Sequence, residues 1–159
     1  MKKFEYENSI GYVVYSASKA FQKAFDLELR NKAGITLTQS KVIFALNMFS
    51  GLTQRELADK IGVETPSLVP IIDKMEEDGY VKRKLDSKDR RLKRIYTTPK
   101  TDALWDSMMG CAAQIRKVSL KEVSEQEVKS ALEIIKKITE SLSVYVENSE
   151  TFTSKKSKN

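Results

Sequence analysis

The stretch from Thr53 to Gly79 limits what this chain can fold into more than any other. Thr53 with Glu56 three residues later is a capping box, which opens a helix by satisfying two of its otherwise unpaired N–H groups. Leu57, Ala58 and Ile61 recur at helical spacing, and Gly62 stops the run. Only Val63 and Glu64 intervene before Thr65-Pro66, which reads as an N-cap followed by proline at the first helical position. Leu68, Val69, Ile72 and Met75 then carry an apolar stripe at 3–4 spacing toward Gly79. Two helices joined by so tight a turn form the helix-turn-helix pattern.

After Gly79 the period changes to two. Tyr80-Val81-Lys82-Arg83-Lys84-Leu85 and Arg94-Ile95-Tyr96-Thr97 read as short strands around a polar loop from Asp86 to Lys93. Charge is concentrated here. The 159 residues include 28 Lys+Arg and 22 Asp+Glu, a net charge of +6. Residues 80–94 hold eight cations and two anions, so this segment carries the whole excess and the rest of the chain is neutral. A helix-turn-helix lays the N-terminal part of its second helix in the DNA major groove. A neighbouring hairpin with a cationic tip can send arginines into the narrow, electronegative minor groove. Arg90 and Arg91 are placed for that. Lys82, Arg83, Lys84, Lys93 and Arg94 alternate along the strands, so only some of them can face phosphates.

Helical patterns flank this segment on both sides. Ile10, Val13, Val14, Ala17, Phe21, Ala24, Leu27 and Leu29 mark a first helix over about residues 7–32, ending near Gly34. Thr36 with Gln39 is a second capping box, opening a helix that Gly51 ends. Thr98-Pro99 starts a fifth helix containing Leu104, Met108, Cys111, Ile115 and Val118. Ser124 with Glu127 caps a sixth, with a stripe from Val128 to Tyr145. Six glycines and three prolines suit long helices. The predicted fold class is mainly α with a small β-hairpin wing, a winged helix-turn-helix of six helices. The organisation expected is a first helix over 1–35, a winged helix-turn-helix over 36–98, two further helices over 99–147 and a disordered tail over 148–159.

Several function classes are excluded or disfavoured. The chain has no histidine, which removes imidazole-activated nucleophiles and the common zinc sites. It has no P-loop or dinucleotide fingerprint. No catalytic residue, metal or cofactor is assigned. No apolar run approaches the roughly 20 residues that span a bilayer, and the N-terminal cations are not followed by an apolar signal region. A lone Cys111 suits a reducing compartment, so the expected location is cytoplasmic, with no membrane partner. Cys111 lies on an apolar helix face, where a thiol is inert core packing.

Three strings carry a family resemblance: Gly62-Val63-Glu64-Thr65-Pro66-Ser67-Leu68-Val69, Asp73-Lys74-Met75-Glu76-Glu77-Asp78-Gly79, and Ser87-Lys88-Asp89-Arg90-Arg91-Leu92-Lys93-Arg94-Ile95. Together they resemble the MarR family of winged helix-turn-helix regulators, and the SlyA-like branch in particular. The resemblance implies a homodimer held by the N- and C-terminal helices, with each winged helix on one half of a pseudo-palindromic double-stranded DNA operator, associated with the nucleoid when bound. It implies base-edge contacts from Thr65, Pro66, Ser67 and Leu68, with Lys74 further along that helix. In the wing it points to Lys88, Asp89, Arg90, Arg91 and Lys93, with Asp89 holding an arginine in place. Thr36, Thr38, Thr53, Gln54 and Arg83 are candidate phosphate contacts. The family commonly responds to small aromatic or phenolic compounds, for which Tyr15, Phe44 and Trp105 are candidate pocket residues, although aromatics at this spacing also suit core or dimer packing.

Two positions depart from the pattern. Pro70 stands where SlyA-like sequences carry an arginine of the recognition helix, and Thr97-Thr98-Pro99-Lys100-Thr101 replaces a usual Leu-Thr-x-x-Gly string. The alternative reading is a winged-helix module that binds RNA or a protein through the same basic face.

Overall fold

A computed structural model describes residues 6–156, with side chains from 7 to 149. A single 3-10 turn, Tyr6–Asn8, leads into α1 (Ile10–Lys32), whose N-cap Ser9 accepts the Tyr12 N–H. There follow α2 (Leu37–Met48), β1 (Leu52–Thr53), α3 (Gln54–Ile61), α4 (Thr65–Glu77), β2 (Val81–Leu85), β3 (Lys93–Thr97), α5 (Lys100–Ser119) and α6 (Glu125–Lys156). These are the six helices and basic hairpin that the sequence predicts. The capping boxes at Thr36/Gln39 and Thr53/Glu56 are both formed, and Ser124 and Glu127 exchange the same reciprocal bonds.

One strand escapes the sequence pattern. β1 pairs antiparallel with β3 through Leu52↔Ile95 and Thr53↔Arg94, so the hairpin becomes a three-stranded sheet in the order β1-β3-β2. Two residues are too short to show a period. Gly51, at φ +76°, turns the chain into this strand, and a Cβ there would sit 2.9 Å from the Tyr96 hydroxyl. No other residue type fits that approach.

The chain divides into two compact units, Met1–Arg116 and Lys117–Asn159. In the first, the core gathers around the helix-turn-helix. Leu57 of α3 and Leu68, Ile72 and Met75 of α4 are fully buried, with Val42 and Ile43 of α2, Ile95 of β3 and Met108 of α5 in the same cluster. Each such side chain contributes about 1.5–3 kcal/mol by leaving water. Asp26 of α1 accepts the Leu37 N–H at 2.7 Å, tying α1 to the first turn of α2. Gly62 closes α3 in the left-handed conformation at φ 71°, which makes the turn to α4 so short.

In the second unit, α6 presents a row of apolar side chains to solvent, among them Leu132, Ile135, Leu142 and Tyr145. Here the expected disordered tail needs correcting. The helix continues past Asn148 as far as Lys156, because residues 148–156 contain neither glycine nor proline to end it. The last three residues of that tail lie outside the described residues. No helix among the described residues is long and apolar enough to cross a membrane.

Candidate nucleic-acid interface

The N-terminal half of α4 is the element that a helix-turn-helix offers to a groove. Its N-cap is Glu64, with extended backbone and no side-chain capping bond, while Thr65 is already helical. The cap expected at Thr65 is therefore one residue early. The Ser67 and Leu68 N–H groups both donate to the Glu64 carbonyl, which draws Thr65 into the first turn. Pro66, Ser67, Val69 and Pro70 are exposed, and the helix stays unbroken across Pro70.

Leu68 does not belong with them. It is fully buried between α3 and the rest of the core, on the same inner face as Ile72 and Met75. A side chain one turn from Ile72 cannot also face outward, so the expected base-edge contact at Leu68 is withdrawn. Lys74 is exposed two turns further on. Its ammonium lies 2.9 Å from Asp78 and 3.2 Å from Glu77, and Asp78 before Glu77 raises its pKa.

The wing is built around Asp86. Oδ1 accepts the N–H groups of Lys88 at 2.8 Å and Asp89 at 2.9 Å, which fixes the first half of the loop as an Asx-type turn. Oδ2 accepts Nε of Arg94 across the hairpin. The Arg94 guanidinium and then the two backbone donors hold the Asp86 carboxyl down at about 2. The backbone closes the loop through Asp86 N–H to the Leu92 carbonyl at 3.0 Å. Arg94 also donates to the Gly51 carbonyl at 2.7 Å and lies 3.6 Å from Glu56, so one guanidinium joins the wing to β1 and to the capping box of α3. At the tip, the Asp89 carboxylate takes both Nε and Nη2 of Arg91, at 3.0 and 2.9 Å, and the Arg91 backbone N–H at 3.0 Å. The tip thus contains the carboxylate-held arginine that the resemblance implies, with Arg91 in that place.

Arg83 has a different environment from the one expected. Its guanidinium lies 2.6 Å from both Asp73 and Glu76 of α4, and its backbone N–H donates to Glu76 at 2.8 Å. The phosphate role is corrected accordingly. On β2 the odd positions Val81, Arg83 and Leu85 share a face, and burial of Val81 turns that face toward α4. Lys84, on the other face, stacks its ammonium 5.5 Å from the Tyr96 ring. Among the described residues, Lys82, Lys88, Arg90 and Lys93 make no ion pair, and all four are exposed. A polar cleft of about 520 Å³ runs between the wing and α4, lined by Gln54, Asp73, Glu76, Arg83, Lys84, Leu85 and Lys93.

The candidate threonines start helices. Thr36 accepts the Gln39 N–H and gives its own N–H to the Gln39 side chain. The Thr53 hydroxyl donates to Glu56 at 2.9 Å and accepts the Glu56 N–H, so a carboxylate sits beside it. Thr38 is half-buried at the start of α2, and Gln54 reaches the cleft.

Of the three aromatic candidates, two meet. Phe44 and Trp105 stack edge-to-face with centroids 5.1 Å apart. Phe44 also lines a groove of about 560 Å³ with Met48, Phe49 and Ile61, rimmed by Lys41 and Lys60. Tyr15 is not part of that groove; it is exposed on α1 with the Lys19 ammonium 5.5 Å from its ring. No group of three or more acidic or thiol side chains among the described residues is placed to hold a metal ion.

Asp86, Arg94, Glu76 and Asp73 are the residues sequence reasoning missed as organisers of this surface. For Asp86 a signal existed, since aspartate after a strand with free N–H groups two and three residues on is the Asx-turn pattern. For the others the partner is distant in sequence.

The chain is similar to known proteins along most of its length. A family model described as the MarR family matches residues 33–92. The transcriptional regulator PA3341 is 31% identical, over 85% of this chain and 98% of that one, with a TM-score of 0.72. Wild-type MarR from Escherichia coli in its apo form shares 20% identity, with coverage of 82% and 96% and a TM-score of 0.75. The transcriptional repressor CouR, bound to a 23-mer DNA duplex, shares 24% identity, with coverage of 87% and 98% and a TM-score of 0.72. At those last two identities the likeness is one of fold.

Proposed function

The chain belongs to the MarR family of transcriptional regulators, and from that premise we propose that it is a homodimeric, SlyA-like regulator binding a pseudo-palindromic operator in double-stranded DNA. The single observation that carries this reading is the wing. Its exposed cations Lys88, Arg90 and Lys93, with Arg91 beside Asp89, stand on a hydrogen-bonded hairpin that Arg83 fastens to Asp73 and Glu76 of α4, the helix whose N-terminal half exposes Pro66, Ser67, Val69 and Pro70. Thr65, Pro66 and Ser67 lie at the base edges, Thr36, Thr38, Thr53 and Gln54 at the flanking phosphates. Arg90 and Arg91 enter the minor groove. That CouR is bound to a DNA duplex in its solved structure supports the same use of the shared fold.

The two protomers are joined through the terminal helices, whose apolar side chains, Ile10 and Val13 on α1 and Ile135 and Leu142 on α6, stand in solvent in the single chain. Two recognition helices then meet half-sites about one helical turn apart, ~34 Å. The regulator does no covalent chemistry; it acts by occupying DNA in the cytoplasm. A small aromatic or phenolic effector shifts the dimer between spacings by binding them unequally. The Phe44–Trp105 pair beside an apolar groove with two lysines at its rim supports a site for such a molecule.

A gel shift with the DNA upstream of its own coding region, at physiological salt and against an unrelated duplex, tests this reading. Preferred binding of one duplex is expected. Equal binding of every duplex overturns the operator reading, and preferential binding of RNA or of a protein favours the winged-helix alternative. Trp105 is the only tryptophan, so quenching of its fluorescence reports effector binding directly.

A further inference from the structure

The first eight residues of α4, Thr65 to Ile72, contain no ionisable side chain and no amide side chain. The first charges on the helix, Asp73 and Lys74, are already held by Arg83 and by Glu77 and Asp78. The side chains that recognise guanine or adenine with paired hydrogen bonds are arginine, lysine, asparagine and glutamine. None is present where this helix would meet base edges. What the outer face does offer is carbon. Pro66 and Pro70 are one turn apart and lie on the same face, Val69 stands between them at 39% exposure, and all three are open to solvent. Ser67 adds one exposed hydroxyl.

Only one group in the major groove is matched by a carbon surface: the C5-methyl of thymine. We propose that α4 reads its half-site by packing Pro66, Val69 and Pro70 against thymine methyl groups, with the Ser67 hydroxyl as the hydrogen-bonding group at the base edges. The inference rests on the reading that the chain binds duplex DNA, and deepens it by naming the base chemistry. Two prolines and a β-branched valine suit this task, because they have little side-chain freedom to lose on contact. The division of labour follows from charge. The wing, with Lys88, Arg90, Arg91 and Lys93, supplies attraction to the phosphates, whereas the helix face is electrically neutral and supplies discrimination.

The test uses the full chain and places the change on the DNA, where folding of the protein is not at issue. A preferred duplex is first selected from a random library. Each thymine in a half-site is then replaced singly by deoxyuridine, which removes the methyl and keeps the base pair. Affinity is expected to fall about fourfold for each methyl packed against the helix, the loss of one buried carbon. Val69→Ala should weaken binding to the thymine duplex and lose the preference for it over the matching uracil duplex. Pro70→Arg should move the selected base at one position from thymine toward guanine. A preferred duplex whose affinity is unchanged by every uracil substitution overturns methyl readout while leaving operator binding intact. Failure to select any preferred duplex overturns the parent reading, and this inference with it.

Discussion

Glu76 holds Arg83 from two directions: Oε1 accepts its backbone N–H at 2.8 Å and Oε2 its guanidinium at 2.6 Å. With Asp73 at 2.6 Å on the other side of the guanidinium, one side chain fastens β2 to α4. The Arg83 side chain is only 18% exposed, so these charge-assisted bonds are partly shielded from water. Arg83→Ala should lower the unfolding free energy by about 1–2 kcal/mol in urea. Arg83→Lys should recover only part, since one ammonium cannot span two carboxylates as a planar fork does. Unchanged stability with weakened DNA binding would restore Arg83 to the phosphate contacts.

The wing loop should resist acid further than an ordinary aspartate allows. Arg94 first, then the Asp89 and Lys88 N–H groups, hold the Asp86 carboxyl at about 2, below its usual 3.8. A depressed folded value means that the contribution of Asp86 is complete above about pH 4 and is lost as pH falls toward 2. Glu76 shifts in the same direction, chiefly through the Arg83 N–H. An NMR titration of the Asp86 carboxyl carbon should give a midpoint near 2, with the Lys88 and Asp89 amide signals moving together with it. A midpoint near 4 would show that the turn is not held this way.

Salt should weaken operator binding steeply. If six to eight wing cations per dimer meet phosphates, the logarithm of affinity falls against that of salt with a slope of roughly −5 to −7. Replacing Arg90 and Arg91 by alanine should weaken binding by several kcal/mol per dimer and flatten the slope, with the dimer intact. Equal affinity for the double variant would rule out insertion of the wing.

Sedimentation can test the dimer directly. Leu132 and Ile135 of α6 are 52% and 46% exposed in the single chain, far too apolar to leave in water on this scale unless covered. Leu132→Asp with Ile135→Asp should convert a dimer near 36 kDa, twice the 18.1 kDa chain, into a monomer. A wild-type chain that sediments as a monomer contradicts the proposed assembly.

Cys111 should be inert. Its thiol is 2% exposed on α5 and points at the Glu28 carbonyl, 3.6 Å away. Burial first, and the Glu28 charge next, push its pKa up. A disulfide reagent at pH 7 should label it only after denaturation; rapid labelling of the native protein would place the thiol in solvent.

Much of the architecture was legible because its signals are local. Capping boxes at Thr36, Thr53 and Ser124 bind groups three residues away, and Gly62 ends α3 through its own backbone freedom, so neighbours in sequence suffice. At Thr65 the local pattern is ambiguous: Thr-Pro reads as cap and first residue, yet the Glu64 carbonyl takes two N–H groups and draws Thr65 into the helix. Leu68 stands inside the Pro-Ser-Leu-Val string but shares the inner face of α4 with Ile72 and Met75, as its spacing to them requires.

Local sequence patterns specify the six helices and the two strands of the hairpin, though not the two-residue β1 or the far end of α6, and they place all the excess charge on that hairpin. Tertiary structure alone decided how that charge is used. Arg83 and Arg94 were indistinguishable from Lys82 and Lys93 as cations on short strands, but sheet pairing and the burial of Val81 and Ile95 turned Arg83 toward α4 and brought Arg94 to Asp86, Gly51 and Glu56. Local hydrogen bonds are set by covalent neighbours. Partners for charges depend on which faces meet when the chain closes on its core, and that is settled only in three dimensions.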